Sequence, residues 1–282
     1  MSFAASRSRA LKVLVDGVMT SPDSEGAVAP AEENGVDGRT GRRWTLRRGR
    51  YQAPMTPARF LSRLVRFGLG LIVLWAGAVL WLGLLYWVVP PVSSLMIGRW
   101  LTLQSVERDY VPLDEISPHL PLAVMTSEDS RFCEHGGVDW DALQEVIEEA
   151  DEDGPARGAS TIPMQVAKNL FLTPSRSYIR KGLEIPVALY LDLIWSKRRM
   201  MEVYLNVAEW GEGVFGAEAA AQKYFRKPAK ALTRREAALL ARALPNPLRR
   251  NPARPSARLN ALAGQLQARM AGSAPFAECL KP

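Results

Sequence analysis

Ser127-Glu128-Asp129-Ser130-Arg131-Phe132-Cys133-Glu134-His135-Gly136-Gly137-Val138-Asp139 brings acids, a guanidinium and one of the chain's 2 histidines into a single short stretch. A stretch this charged suits either the wall of a polar cleft or a solvated helix end with incidental charges. A charged, glycine-ended segment seldom forms core, so it reads as a cleft wall held by the apolar anchor Phe132. A second group follows at Ser160, Thr161, Gln165, Lys168 and Asn169. Ser160 or Thr161 can cap a helix with Pro163 in its first turn, which puts Gln165, Lys168 and Asn169 on one face. A third group is Arg180-Lys181-Gly182-Leu183-Glu184, where residues three and four apart pair cations with a carboxylate.

Helices must position these groups. Asp139 caps a helix from Trp140 to Ala150, and the acid-rich run Glu148 to Gly154 breaks it. Further helices are predicted from Ser177 to Trp195 and from Lys197 to Trp210. Thr233-Arg234-Arg235-Glu236 forms a capping box that opens another, ending before Pro245. No long alternating strand pattern follows residue 100, so this part is mainly α. Residues from Ala253 onward read as a tail with at most one short basic helix.

The chain of 282 residues carries 36 basic and 29 acidic side chains, a net charge of +7. The excess sits in Arg39, Arg42, Arg43, Arg47, Arg48, Arg50, Arg59, Arg63 and Arg66, with no acid between them. Phe67 to Val89 follows without a charge, and as a helix it spans about 35 Å, enough for a bilayer core of about 30 Å. Trp81, Tyr86 and Trp87 suit an interfacial belt, and Pro90-Pro91 ends the span. Arginines at one end of a lone span stay cytoplasmic, so the remainder is expected across the membrane. The basic cluster then needs no nucleic acid to explain it. Cys133 and Cys279 are the only cysteines, and sequence neither pairs nor separates them. No Cys/His spacing resembles a structural zinc site.

Over roughly residues 100–252 the chain resembles the monofunctional biosynthetic peptidoglycan transglycosylases, which are family 51 glycosyltransferases. The motifs are Glu128-Asp129-x-x-Phe132-x-x-His135-x-Gly137, then Gly158-x-Ser160-Thr161-Ile162-x-x-Gln165-x-x-Lys168-Asn169. Arg180-Lys181-x-x-Glu184 and Glu202-x-Tyr204-Leu205-Asn206 follow in order. The resemblance implies a single N-terminal transmembrane helix followed by a lysozyme-like helical glycosyltransferase domain. Residues 1–66 would be a disordered, basic cytoplasmic tail, 67–89 the span, 90–252 the catalytic domain and 253–282 a short tail.

The resemblance also implies the chemistry. Such enzymes join disaccharide–peptide units of lipid II, inverting the anomeric centre and expelling polyprenyl diphosphate. Glu128 would be the general base and Glu184 the second essential carboxylate. Asp129, Ser160, Gln165, Lys168, Arg176 and Lys181 would contact substrate, with Asp129 also fixing its loop. Phe132, His135, Arg180 and Asn206 would support the site. No cofactor is required, although Glu184 could hold a divalent cation (Mg or Mn) accompanying the pyrophosphate. The implied partners are lipid II, the growing glycan strand, the bilayer and cell-wall or division proteins. The implied location is the bacterial inner membrane, with the domain periplasmic.

Leu170, Phe171, Leu172, Tyr178 and Ile179 are candidates for an apolar surface dipping into the bilayer, or for core. One departure is Pro163-Met164-Gln165 where many members have Thr-Gln-Gln, so only the second glutamine is kept. No Ser-x-x-Lys, Ser-x-Asn and Lys-Thr-Gly set for peptide cross-linking follows Pro252. A lytic transglycosylase or lysozyme-type hydrolase shares a helical fold and a glutamate, but it has no diphosphate for Lys168, Arg176 and Lys181 to hold. A non-catalytic scaffold binding lipid II would not need both Glu128 and Glu184.

Overall fold

A computed structural model describes residues 33–36, 38–41, 43–46, 56–149, 159–173 and 177–281. The chain divides into two compact units at Gly68. The first holds a hairpin of β1 (Glu33–Val36) paired antiparallel with β2 (Arg43–Leu46). This part of the expected disordered tail therefore has backbone pairing, closed by a turn in which Gly41 takes φ +65°.

Helix α1 runs Pro57–Leu85, ten residues longer at its start than the expected span. Pro57 suits a first helical position, and Arg59, Arg63 and Arg66 extend the helix as an exposed basic turn before the apolar run. Only Val79 and Gly83 of α1 are buried, while Leu71, Ile72, Val73, Leu74 and Trp81 stand exposed. The helix is long and apolar enough to cross a membrane. Within the second unit its far end docks on the domain. Tyr190 Oη donates to Leu80 O at 2.6 Å and Trp195 Nε1 to Gly83 O at 2.9 Å. Arg199 donates to Tyr86 O at 2.7 Å and to Val89 O at 3.0 Å.

The domain is mainly helical. It comprises α2 (Ser94–Leu101), α3 (His119–Glu128), α4 (Trp140–Glu148), α5 (Ile162–Phe171), α6 (Tyr178–Ile194), α7 (Lys197–Val207), α8 (Ala217–Phe225), α9 (Arg234–Ala243) and α10 (Ala257–Ser273). A small sheet joins β3 (Glu107–Arg108), parallel to β5 (Val214–Phe215), with β4 (Glu209–Gly211) antiparallel on the other side of β5. Strands of two or three residues are too short to leave an alternating pattern. The cap predicted at Asp139 forms, accepting from Ala142 N, and of Ser160 and Thr161 it is Thr161 that caps, accepting from Met164 N. Ser177, expected inside its helix, caps it instead, accepting from Arg180 N. Thr233 and Glu236 complete the capping box.

The core is one cluster of buried side chains from α3, α5, α6, α7, α8, α9 and α10. Leu170 belongs to it and Leu172 is buried as well, each 7% exposed, so neither offers an apolar surface to a bilayer, whereas Ile179 is 80% exposed. The segment from Ala253 departs most from expectation. It forms the 17-residue α10, which buries Leu259, Ala263, Leu266 and Met270 against α3 and α9. A 3-10 segment, Ala274–Leu280, follows. The small residues of α10 (Ala257, Ala261, Ala263, Gly264) blur its apolar period, and its face shows only once α9 and α3 are present to receive it. The domain therefore runs on past residue 252. Cys133 and Cys279 are joined in a disulfide with a Cα–Cα distance of 5.6 Å.

Candidate active site

Glu128 ends α3, so its side chain projects where helix gives way to loop. Each of its carboxylate oxygens meets one neutral donor. Ser127 Oγ donates to Oε1 at 3.1 Å, and Gln165 Nε2 approaches Oε2 at 3.5 Å. Both donors are themselves held. Arg242 Nη1 donates to Ser127 Oγ at 3.2 Å, and Tyr204 Oη donates to Gln165 Oε1 at 3.0 Å. Because an amide nitrogen cannot accept, the Tyr204 bond turns the NH2 of Gln165 toward Glu128. Burial keeps the Tyr204 hydroxyl protonated, with its pKa pushed well above the ordinary value, and the charges of Glu128 and Asp129 add to this.

Burial also raises the pKa of Glu128. The bonds from Ser127 and Gln165 and the charges of Arg242 and Arg250 offset part of that. No cation bonds this carboxylate directly among the described residues, so it is oriented without being neutralised. A raised pKa makes it a stronger base than a free glutamate.

The adjoining carboxylate, Asp129, faces inward. At 7% exposure, its Oδ2 accepts from Ile162 N at 2.8 Å, and His135 Nε2 lies 2.9 Å from Oδ1. It thus ties the catalytic loop to the start of α5. Expected at the substrate, it has its oxygens committed to the loop instead, although it lines the same cleft. Thr161 Oγ1 makes a parallel tie to Gly137 O at 2.6 Å. Phe132 is fully buried under the loop, edge-on to His135 with ring centroids 6.4 Å apart. Lys197 Nζ holds the carbonyl of His135 at 2.5 Å.

Across the cleft, Glu184 on α6 is 2% exposed and neutralised by two cations. Arg180 pairs with Oε1, and Lys181 Nζ lies 2.7 Å from Oε2. Lys181 reaches on to Ser160 Oγ at 2.5 Å. Ser160 in turn lines a pocket of about 140 Å³ with Glu128, Asp129, Ser130, Asp139, Ala142, Val146, Ala159 and Thr161. One cleft therefore joins the carboxylate to the ammonium through the Ser160 hydroxyl. Lys168 on α5 lies within the same field. Burial lowers its pKa, and the charges of Glu184, Arg180, Lys181 and Glu128 all act on it.

A family model described as Transglycosylase matches residues 95–271. The chain belongs to the transglycosylase family. A protein of Agrobacterium fabrum named biosynthetic peptidoglycan transglycosylase is 53% identical over 192 residues, covering 68% of this chain and 85% of that one. A Brucella suis protein of the same name is 52% identical over 193 residues, covering 68% and 86%. One from Rhizobium johnstonii is 43% identical over 253 residues, 90% of this chain and 98% of its own. The matched span includes α10, in keeping with the place of that helix in the core.

In this transglycosylase Glu128 and Ser160 share the pocket, Gln165 approaches Glu128, Lys181 bonds Ser160 and Glu184, and Arg180 pairs with Glu184. Lys168 lines a neighbouring pocket with Ser94 and Asn169. Arg176, expected at the diphosphate, lies outside the described residues, as does Gly158. Asn206 lies away from the cleft chemistry. Its Nδ2 donates to Val111 O at 2.9 Å and its Oδ1 accepts from Val111 N at 3.1 Å, pinning the chain before the Leu113–Glu115 turn to α7. Glu202 does similar work, accepting from Tyr110 Oη at 2.8 Å and Leu113 N at 2.9 Å. Sequence reasoning missed Ser127, Tyr204 and Arg242 as holders of the base. Ser127 immediately precedes the first motif, and Tyr204 stands inside the last, two residues before Asn206. Arg242 sits on the exit turn of a helix read only for its cap.

Proposed function

We propose that this transglycosylase polymerises peptidoglycan glycan strands from lipid II at the outer face of the cytoplasmic membrane. Glu128 Oε takes the proton from the 4-hydroxyl of the incoming lipid II sugar. That oxygen attacks the anomeric carbon of the growing strand from the face opposite its diphosphate. The new C–O bond forms as the bond to the diphosphate breaks, the centre inverts, and polyprenyl diphosphate leaves with the bonding pair. Lys181, with Ser160 and Lys168, faces the developing charge on the diphosphate, where preorganised donors do most catalytic work. Glu184 keeps Lys181 and Arg180 in place and is itself too well paired to act as a base. A divalent cation would arrive with the diphosphate, since Arg180 and Lys181 already occupy the Glu184 oxygens. Among the described residues no three His, Cys, Asp or Glu side chains converge on a metal site.

The single observation carrying this reading is the shared cleft, with Glu128 and Ser160 in one pocket and Lys181 bonded to Ser160. A glycan hydrolase has no need for the cationic half of that arrangement. Helix α1 keeps the cleft beside a substrate confined to the bilayer. Its basic start supports an orientation with the N-terminus in the cytoplasm and the domain in the periplasm. Purified full-length protein given labelled lipid II should yield polymer and free polyprenyl diphosphate. Shortening of preformed strands, with lipid II untouched, would assign the cleft to cleavage instead.

A further inference from the structure

The catalytic stretch is held from behind by the chain's far end. Arg269 on α10 donates from Nη2 to Thr126 O at 3.1 Å, two residues before Glu128. Ten residues after Arg269, Cys279 is bonded to Cys133, five residues after Glu128. Glu128 and Asp129 therefore lie between two ties to one C-terminal strap. The two ties differ in strength of support. Helix α10 is packed into the core through Leu259, Ala263, Leu266 and Met270. The Ala274–Leu280 segment buries no residue fully and roofs a cavity of about 380 Å³ lined by Leu113, Ile116, Pro121, Leu122 and its own Ala277 and Leu280. Its Ala277, Cys279 and Leu280 pack partly buried against the core, and Arg198 Nη1 donates to Leu280 O at 2.9 Å.

On its inner side the loop is well bonded to α5 and α7 through Asp129, Thr161 and Lys197. On its outer side the disulfide is the tie. From this we propose that the Cys133–Cys279 disulfide positions the base. It holds the 126–133 stretch so that Glu128 keeps its bonds to Ser127 and Gln165, and full turnover requires its oxidised state. Oxidation takes two electrons and two protons from the thiols, accepted by a disulfide-class oxidant that is itself reduced to two thiols. Such exchange is favoured outside the cytoplasm, where the domain is placed. The activity part of this inference rests on the proposed function, and the loop-ordering part does not.

The test uses full-length protein in detergent, oxidised or treated with dithiothreitol. The reagent's two thiols close to a ring disulfide and leave Cys133 and Cys279 reduced. With lipid II as substrate, reduction should lower kcat about tenfold and leave KM unchanged, because the cations on α5 and α6 are untouched. The acid limb of the pH profile should move toward the ordinary carboxylate range as water reaches Glu128. Cys279→Ser should reproduce both effects and no longer respond to dithiothreitol. Amide exchange over residues 129–135 should quicken about tenfold on reduction, while α6 stays protected. Unchanged kcat, pH limb and exchange in the reduced protein would overturn the proposal. If the oxidised protein makes no polymer, the proposed function fails. Exchange alone then decides: faster in 129–135 upholds the strap, and unchanged refutes it.

Discussion

Glu128 is a buried carboxylate that no cation among the described residues touches directly, and this has consequences for both rate and stability. Because its folded pKa is raised, the native state holds that proton more tightly than the unfolded chain does. Its contribution is favourable below the unfolded pKa and is lost as pH rises through the folded value, so at neutral pH the ionised side chain is a net cost. Glu128→Gln should therefore raise the melting temperature at neutral pH, and the gain should shrink toward acid, as followed by circular dichroism. The wild-type rate should fall as acid protonates Glu128, with its limb above the ordinary carboxylate range.

Glu184 presents the opposite case, fully buried and paired twice. Removing Arg180, whose side chain is 17% exposed, leaves a buried carboxylate with one partner fewer. Arg180→Ala should cost about 3 kcal/mol in denaturant unfolding, toward the lower end for broken buried pairs. Spacing made Arg180, Lys181 and Glu184 legible in the sequence, since residues three and four apart must meet on a helix. The holders of Glu128 were not legible, because Tyr204 and Arg242 reach it across 76 and 114 residues of sequence and only packing brings them near.

At the scale of elements, the site depends on how α3, α5 and α6 are joined. Thr161 caps α5 and also donates to Gly137 O, so one hydroxyl sets both the start of the helix and the position of the loop. Gly137 there takes φ +88°, and a Cβ on it would lie 3.0 Å from Ala188 O. Thr161→Val should lose the cap, about 1 kcal/mol, and strand a carbonyl, about 1 kcal/mol more. For a domain of this size that is a drop of about 4–8 °C in melting temperature by calorimetry. Most caps and the helix order could be read directly, because Asp139, the Ser160-Thr161 pair and Thr233 are strong local signals. Helix α10 could not, since its alanine-rich face gains meaning only against α3 and α9. The short sheet strands were equally silent.

Across the whole molecule, α1 is more than a tether. Its exposed apolar flank fits a bilayer, and its end is bonded to α6 and α7 through Tyr190, Trp195 and Arg199. A Cβ on Gly83 would come within 2.6 Å of Tyr190 Cε1, so the helix and α6 meet closely at this glycine. Under the proposed function, this docking would hold the site beside a lipid-borne substrate. With the arginine-rich end inside, protease added to intact spheroplasts should digest the domain beyond Pro90 and spare an N-terminal epitope. Digestion of the epitope with protection of the domain would reverse the assigned orientation. The apolar helix was legible because an uncharged run of that length needs no tertiary context. How that span seats on the domain required the fold.

The most direct measurement is single-turnover glycan formation from labelled lipid II by full-length wild type and Glu128→Gln, both first shown to be folded. A carboxylate acting as base beside a cationic diphosphate site predicts a loss of about 10²–10⁴-fold in the variant with substrate binding retained. Polymer formed by Glu128→Gln at the wild-type rate would contradict that assignment and move the chemistry elsewhere.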